Sequence, residues 1–524
     1  MTDAKITEAK MNGAESLVHT LLANGIEVCF TNPGTSEMHF VAALDHIAGM
    51  RSVLVLAEGV ATGAADGYYR MAGKPASTLL HLGPGLANGL SNLHNAKKAG
   101  SGIVNIVGEH ASTHIALDAP LTSDIQGIAR PMSHWVHTSA SAQDVGADAA
   151  QAVQAAMVAP GQIATLILPS DTAWNEGGVA QGAADLPVPT PFDADVLEQA
   201  AEALDGPDTL LLLGGSALTE ANLETAGRIA AKTGCTLLSE WSNARMERGA
   251  GRVFVGRVPY PIDIALKVLE PFKRIVLLGA RAPIGFFAYP GKPAVLTHPD
   301  AQILTLANAG ADLEAALQAL CGATKATDAP PAHVAQDDLP ARPTGAITLD
   351  SLAAVIARAI PKDGIIVDES VTTGRSFSPA TKGAAPHTWL NNCGGSIGYA
   401  LPAAVGAAVA CPDRKVMCLT GDGSAMYTVQ ALWTMAREKL NVTTLVFANR
   451  SYQILRGELT NVGVGNPGPR AIDMLSLDRP ALDWVHMARA MGVEAVRVDS
   501  CEALEAALED GLDTAGPSLI EVTL

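Results

Sequence analysis

A buried strand, a Gly-Asp-Gly break, a helix and a second buried strand ending in asparagine constrain this chain more than any other feature. The apolar run Arg414-Lys415-Val416-Met417-Cys418-Leu419-Thr420 reads as the first strand, and Gly421-Asp422-Gly423-Ser424 breaks it. A helical pattern follows, with Met426, Val429, Trp433 and Ala436 predicted on one face. Thr443-Thr444-Leu445-Val446-Phe447-Ala448 reads as the next strand and stops at Asn449, so residues 424 to 448 separate Gly423 from Asn449. In a parallel sheet both strand ends open on one edge, where open α/β sheets bind ligands. Asp422 offers a carboxylate and Asn449 an amide oxygen, hard donors suited to Mg²⁺. The glycines let backbone approach a phosphate, and the helix N-terminus directs free N–H groups and partial positive charge at it. A Gly-Asp-Gly turn is also ordinary punctuation between strand and helix, so the spaced asparagine and the rest of the chain must decide. The pattern predicts a metal-bound diphosphate.

At 524 residues the chain is long enough for three or four domains with cores of their own. Few aromatics and many small aliphatics suit helices packed on parallel strands, an α/β architecture. A net charge of −18 without a Lys/Arg cluster argues against a nucleic-acid partner. Seven scattered cysteines, never in a C-x-x-C pair, read as reduced core thiols. Met1 to Asn12 is polar, and no stretch of about 18 uninterrupted apolar residues appears. The expectation is a cytoplasmic protein with no membrane partner.

Three doubly wound parallel-sheet blocks separate at Pro-rich joints: 1–185, 192–325 and 346–524, with 326–345 as a linker. Val28 to Phe30, Ser52 to Leu56, Ala76 to Leu80, Ile103 to Val107 and Ala164 to Leu168 read as strands of the first block. Leu210 to Leu213, Thr236 to Leu238, Ile275 to Leu278 and Ile303 to Leu306 read as strands of the second. The Gly214-Gly215 turn lacks a G-x-G-x-x-G pattern and reads as a structural βα turn rather than a nucleotide site.

The metal turn with its spaced asparagine resembles the cofactor signature of thiamine-diphosphate enzymes. Over its whole length the chain is similar to the branch holding acetolactate synthases and benzoylformate decarboxylase. The run from Gly421 to Tyr427, continuing through Ala431-Leu432-Trp433-Thr434, looks especially like the latter. The resemblance implies thiamine diphosphate and Mg²⁺ as cofactors, the metal held by Asp422, Asn449 and the Ser451 carbonyl. Gly421, Gly423, Ser424 and Tyr452 are implied on the diphosphate. Gly394-Gly395-Ser396-Ile397-Gly398-Tyr399 resembles the aminopyrimidine loop, with the Gly395 carbonyl accepting from the amino group and Ile397 wedged beneath. Acetolactate synthases carry FAD against the middle domain and benzoylformate decarboxylase carries none, so FAD stays open but not favoured.

Activating this cofactor needs one poorly solvated acid. Glu58 precedes a small-residue helix, and Glu58, Ala65, Gly67 and Tyr68 look like the family's activating glutamate and its helix. A favourable helix-dipole partner is the alternative reading of Glu58. Asn32 and Pro33 open a tight turn that in the family meets the substrate end of the cofactor. Thr35 keeps the hydroxyl of an active-site serine there, although N-capping of the next helix explains it equally well. His81 falls on a catalytic histidine of benzoylformate decarboxylase, which implies proton transfer or substrate orientation.

Departures limit the substrate reading. The stretch from Ala282 to Pro290 lacks the second active-site histidine of benzoylformate decarboxylase. Glu458 stands where that enzyme has an aromatic in its substrate pocket, to which Ile454 is also assigned. Acetolactate synthase's Asp-Ala-Phe-Gln-Glu is replaced by Asp118-Ala119-Pro120-Leu121-Thr122. The expectation is a homodimeric or homotetrameric decarboxylase of a small-molecule 2-oxo acid. Carboligation is the alternative within the class, and a non-catalytic binding or regulatory subunit the alternative outside it.

Overall fold

The computed structural model describes residues 11–524, so most of the polar N-terminal stretch lies outside the described residues. Two compact units follow each other, Met1–Val188 and Pro189–Leu524.

In the first unit, apolar strands alternate with Ala- and Gly-rich helices, which lets parallel strands be covered on both faces. Six strands form its sheet: β1 (Val28–Asn32), β2 (Arg51–Leu54), β3 (Ala76–Leu80), β4 (Ile103–Glu109), β5 (Trp135–Thr138) and β6 (Ile163–Pro169). Their order is β2-β1-β3-β4-β6-β5, every pair parallel. β3, β4 and β6 are buried along their whole length. Helices Glu58–Ala72 and Leu82–Ala99 pack through small residues. There the Thr62 hydroxyl donates to the Gly89 carbonyl (2.9 Å) and Asn92 Nδ2 to the Gly59 carbonyl (2.8 Å). This contact brings the elements that begin at Glu58 and His81 side by side.

The second unit carries two sheets. One is built from β7 (Thr209–Leu213), β8 (Thr236–Ser239), β10 (Gly256–Arg257), β11 (Arg274–Leu278) and β12 (Gln302–Ala307), in the order β10-β8-β7-β11-β12. The other holds β13 (Ile365–Glu369), β14 (His387–Asn391), β15 (Val416–Gly421), β16 (Val442–Ala448), β17 (Glu494–Val498) and β18 (Ser518–Thr523). Its seventh strand, β9 (Arg245–Arg248), comes from the middle of the chain and pairs antiparallel with β14 at the sheet edge. Three parallel-dominated sheets therefore match the expected fold class, with one strand crossing from the middle block. Nothing local marks β9, because Arg-Met-Glu-Arg has no strand periodicity of its own.

Two readings need correction. The segment after Asp422 is not one helix: Asp422–Ala425 gives way to a 3₁₀ turn over Met426–Thr428, and a second helix spans Ala431–Arg437. Ala425, Thr428, Ala431, Leu432, Thr434 and Met435 are buried, while Met426, Val429, Trp433 and Ala436 are only half-buried. The tighter 3₁₀ winding changes the phase of the helix, so the buried face falls beside the expected one. Thr35 does not cap a helix, because Gly34 occupies the cap position and Thr35 already lies within the turn Thr35–Glu37.

Candidate active site

Most of the candidate side chains of the first unit follow strand ends on one edge. Asn32 closes β1 and leads through Pro33 into the Gly34–Glu37 turn; Glu58 lies just beyond β2, His81 follows β3 and His110 follows β4. Glu58 is 9 % exposed at the first position of its helix, and its Oε2 accepts from Asn88 Nδ2 at 3.1 Å. The carboxylate lies close to the Gly85 backbone, an approach a Cβ at residue 85 would obstruct. His81 Nδ1 pairs with Glu37 Oε2 at 2.8 Å. Glu37 is 3 % exposed and also accepts from the Gly34 N–H (2.7 Å) and the Ser36 hydroxyl (2.7 Å). Gly34 is required here, since a Cβ would lie 2.1 Å from His81 Nδ1. A cleft of about 240 Å³ is lined by Thr35, Ser36, His81, His110, Leu121 and Trp174, among others.

The second unit presents backbone and fixed oxygens. β15 and β16 run parallel with Gly421 opposite Phe447, so Asp422 and Asn449 leave the sheet as neighbours. Asp422 is 3 % exposed; its Oδ1 accepts from the Gly423 N–H (2.8 Å) and its Oδ2 from the Arg450 N–H (2.7 Å). The second bond fastens the two turns together. Burial raises the Asp422 carboxyl above its ordinary range, against the pull of these N–H groups. Asn449 Oδ1 accepts from the Ser451 N–H at 3.0 Å, and the Ser451 hydroxyl donates to the Leu475 carbonyl at 3.1 Å. Ser424 is buried in the helix that starts at Asp422, and the Tyr452 ring packs against Gly423.

Beyond β14, Asn392 Oδ1 accepts from the N–H groups of Gly394 (3.1 Å) and Gly395 (2.9 Å). Glu369, at the end of β13, accepts from the N–H groups of Tyr399 and Ala400 and from Asn392 Nδ2. Burial pushes the Glu369 carboxyl up to about 7 despite these donors. Gly395 has φ +76°, and a Cβ there would lie 2.8 Å from the tip of the Phe286 ring, so glycine is needed for both reasons. Ile397 is half-buried in the same loop. Glu458 and Ile454 lie one turn apart on the helix Gln453–Asn461, and Glu458 Oε1 accepts from the Tyr260 hydroxyl at 3.4 Å. Tyr289 also hydrogen-bonds Glu458.

Three groups went unassigned in the sequence. Glu37 sits in the quoted turn, but its partner His81 is 44 residues away. His110 shares the cleft with His81, lies with its ring centre 5.3 Å from that of His114 in a tilted arrangement, and its Nε2 is buried without a hydrogen-bond partner. No motif surrounds it. The Ala282 to Pro290 stretch, noted for lacking histidine, instead supplies Phe286, which packs on Trp241 (5.1 Å), Tyr260 (5.7 Å) and Phe287 (4.8 Å). The clustering of aromatics there was the available signal.

Among the described residues no cluster of three His, Cys, Asp or Glu could hold a metal ion. The Asp422–Asn449–Ser451 group therefore offers one carboxylate and otherwise neutral oxygens. Such a set suits a Mg²⁺ that takes further oxygens from a diphosphate.

Residues 11–132 match the thiamine pyrophosphate enzyme N-terminal TPP binding domain, and residues 373–522 match the thiamine pyrophosphate enzyme C-terminal TPP binding domain. The chain is 48 % identical over 520 residues, 98 % of its length and 99 % of the relative's, to a Mycobacterium tuberculosis protein provisionally named acetolactate synthase large subunit IlvX. It is 30 % identical to benzoylformate decarboxylase of Pseudomonas aeruginosa, covering 96 % of this chain and 97 % of that one. Among solved structures, the thiamine diphosphate-dependent 4-hydroxybenzoylformate decarboxylase of Rhodococcus jostii RHA1 superposes with a TM-score of 0.86 at 25 % identity, over 98 % of this chain and 99 % of that chain. The chain belongs to the thiamine-pyrophosphate enzyme family, in the group that holds acetolactate synthases and benzoylformate decarboxylases.

Proposed function

We propose that this protein is a thiamine-diphosphate- and Mg²⁺-dependent decarboxylase of a 2-oxo acid. The observation that carries the reading is the His81–Glu37 pair, an imidazole oriented by a buried carboxylate in a cleft beside the Thr35 hydroxyl. When bound, the cofactor supplies a nucleophilic thiazolium carbon and an electron sink for the charge left by departing CO₂. The chain's residues do the rest. Asp422, Asn449 and the Ser451 carbonyl hold Mg²⁺, and the Gly421–Ser424 turn with Tyr452 receives the diphosphate. The Gly395 carbonyl accepts from the aminopyrimidine, Ile397 supports it, and Asn32 with Pro33 shapes the turn at the substrate end. Glu58 holds a proton for the pyrimidine nitrogen. His81 moves a proton at the substrate oxygen or carbon, with Glu37 fixing its tautomer, and Thr35 orients the substrate.

Glu458, held by Tyr260 and Tyr289, places a carboxylate and two hydroxyls near Ile454. A half-buried carboxylate is a poor neighbour for a phenyl ring, so the preferred substrate is a small or polar 2-oxo acid. Ligation to a second carbonyl is the alternative reaction, favoured by the 48 % identity to the protein named as an acetolactate synthase subunit. FAD is not favoured: at the switch point of the middle sheet the Gly214 backbone approaches the Gly279 carbonyl so closely that a Cβ would lie 2.5 Å from that oxygen, and the Glu240 carboxylate stands beside it. A diphosphate there would face an acid, not a cradle of N–H groups. The three-block organisation at 1–185, 192–325 and 346–524, a homodimer or dimer of dimers, and a cytoplasmic location complete the proposal. No helix among the described residues is long and apolar enough to cross a membrane.

Calorimetry with thiamine diphosphate, with and without Mg²⁺, followed by a screen of 2-oxo acids for CO₂, aldehyde and hydroxyketone, tests this reading. Metal-dependent binding with CO₂ and aldehyde release is expected. Hydroxyketone as the main product would favour the carboligase, and binding without CO₂ from any acid would leave the non-catalytic subunit.

A further inference from the structure

Behind the glycine loop of the second unit lies a narrow cavity where β9, β13 and β14 meet. It is small, with about 20 Å³ of space open to a water-sized sphere, and Arg248, Arg257, Asp368, Trp389 and Asn391 line it. Arg248 is 7 % exposed, with its guanidinium 5.2 Å from the centre of the Trp389 ring. One of its terminal nitrogens donates to the Ser378 carbonyl, while its Nε is buried with no acceptor. Arg257 Nη1 donates to Asn391 Oδ1 at 3.1 Å. Burial, and then the neighbouring Arg257, bring Arg248 down to about 10, and burial also lowers Arg257; a guanidinium stays charged in proteins at neutral pH.

Asp368 is the one carboxylate among the lining residues, and both its oxygens are engaged. Oδ1 accepts from the Ser370 N–H (2.9 Å) and hydroxyl (2.5 Å), and Oδ2 from Trp389 Nε1 (3.2 Å). One buried and one half-buried cation thus face one anion already shared among three neutral donors. A poorly solvated cation without a counter-charge is costly, and an unmatched guanidinium N–H adds to that cost.

We propose that this cavity binds one small inorganic anion, a halide or an oxyanion such as phosphate. The anion supplies the missing negative charge and an acceptor for Arg248. It also bears on the cofactor loop through two adjacent residue pairs. Asp368 precedes Glu369, which receives the Tyr399 and Ala400 N–H groups; Asn391 precedes Asn392, which receives those of Gly394 and Gly395. Filling the cavity fixes the strand ends from which both holders of the loop project, so the anion orders the loop before cofactor arrives.

The full chain is melted in sodium bromide, sodium phosphate and sodium gluconate at matched ionic strength, and crystals are soaked in bromide for anomalous scattering. A saturable rise in Tm on the order of 2 °C with bromide or phosphate, not gluconate, is expected. It should vanish in Arg257→Gln, which keeps a donor for Asn391, and an anomalous peak should lie beside the two guanidinium groups. If that variant does not fold, the wild-type saturation and the bromide peak decide alone. A Tm that follows ionic strength in every salt, or an empty cavity in the bromide map, overturns the proposal. A peak without saturable stabilisation means an adventitious ion only and overturns it as well.

Discussion

The carboxyl edge of the first sheet and that of the last sheet share a parallel architecture but expose different chemistry. On the first, ionisable side chains follow strand ends: Glu58, the Glu37–His81 pair and His110. On the last, the groups are fixed oxygens and glycine backbone: Asp422 clamped by two N–H bonds, Asn449, Ser451 and the loop at Gly395. Proton transfer needs groups whose ionisation can change during a turnover. Holding a phosphate-bound cation needs groups whose charge and position stay fixed. The middle sheet, with a similar doubly wound order, carries at its switch point a close Gly214–Gly279 backbone approach and the Glu240 carboxylate. Topology offers an edge, and the residues on it decide whether the edge becomes a site.

The sharpest way to break the contrast is Asp422→Ala. If the last sheet's edge holds the metal, thiamine diphosphate affinity should fall by roughly two to three orders of magnitude, the cost of leaving buried charge unpaired. Calorimetry at saturating Mg²⁺ reads this, and near-normal affinity would remove Asp422 from the metal. Glu58→Gln should do the reverse. It should bind cofactor almost normally but slow exchange of the thiazolium C2 proton by about a hundredfold or more, followed by NMR. Wild-type exchange in that variant would reduce Glu58 to a helix-dipole partner.

Glu37→Gln sharpens the picture within the first edge. It keeps an acceptor for His81 but removes the charge, so kcat should fall roughly tenfold to a hundredfold with KM little changed. An unchanged kcat would show that the pair only builds the turn. The smallest effect concerns Glu369. Its folded carboxyl titrates near 7, above the ordinary 4.5. Its stabilising contribution as a neutral acid is therefore complete below about pH 4.5 and is lost as pH rises through 7, by at most ~3 kcal/mol. Glu369→Gln should flatten that part of the Tm profile between pH 5 and 8. An unaltered profile would show that the N–H donors around it, not burial, govern Glu369.

Much was legible because it is local. An apolar run bounded by glycine dictates a strand and its end wherever it folds. The shared edge of β15 and β16 was expected from the strand, turn, helix and strand pattern, whereas the register with Gly421 opposite Phe447 came from the structure. The candidate donors Asp422 and Asn449 come with those strand ends. The buried face after Asp422 was not legible, because one 3₁₀ turn shifts the phase of everything downstream.

The sequence by itself determined the α/β class, the parallel sheets, the strand ends that carry Glu58, His81, Asp422 and Asn449, and the glycine turns beside them. Periodicity and turn chemistry encode those within a few residues. Tertiary structure alone decided which distant groups meet: Glu37 with His81, Phe286 with Gly395, Tyr260 with Glu458, and β9 with β14. Such contacts depend on how strand ends and loops converge after packing, and a side chain's neighbour across 44 or 198 residues leaves no local trace. The same convergence set Arg248 and Arg257 around one cavity, although each residue alone reads as an ordinary polar position.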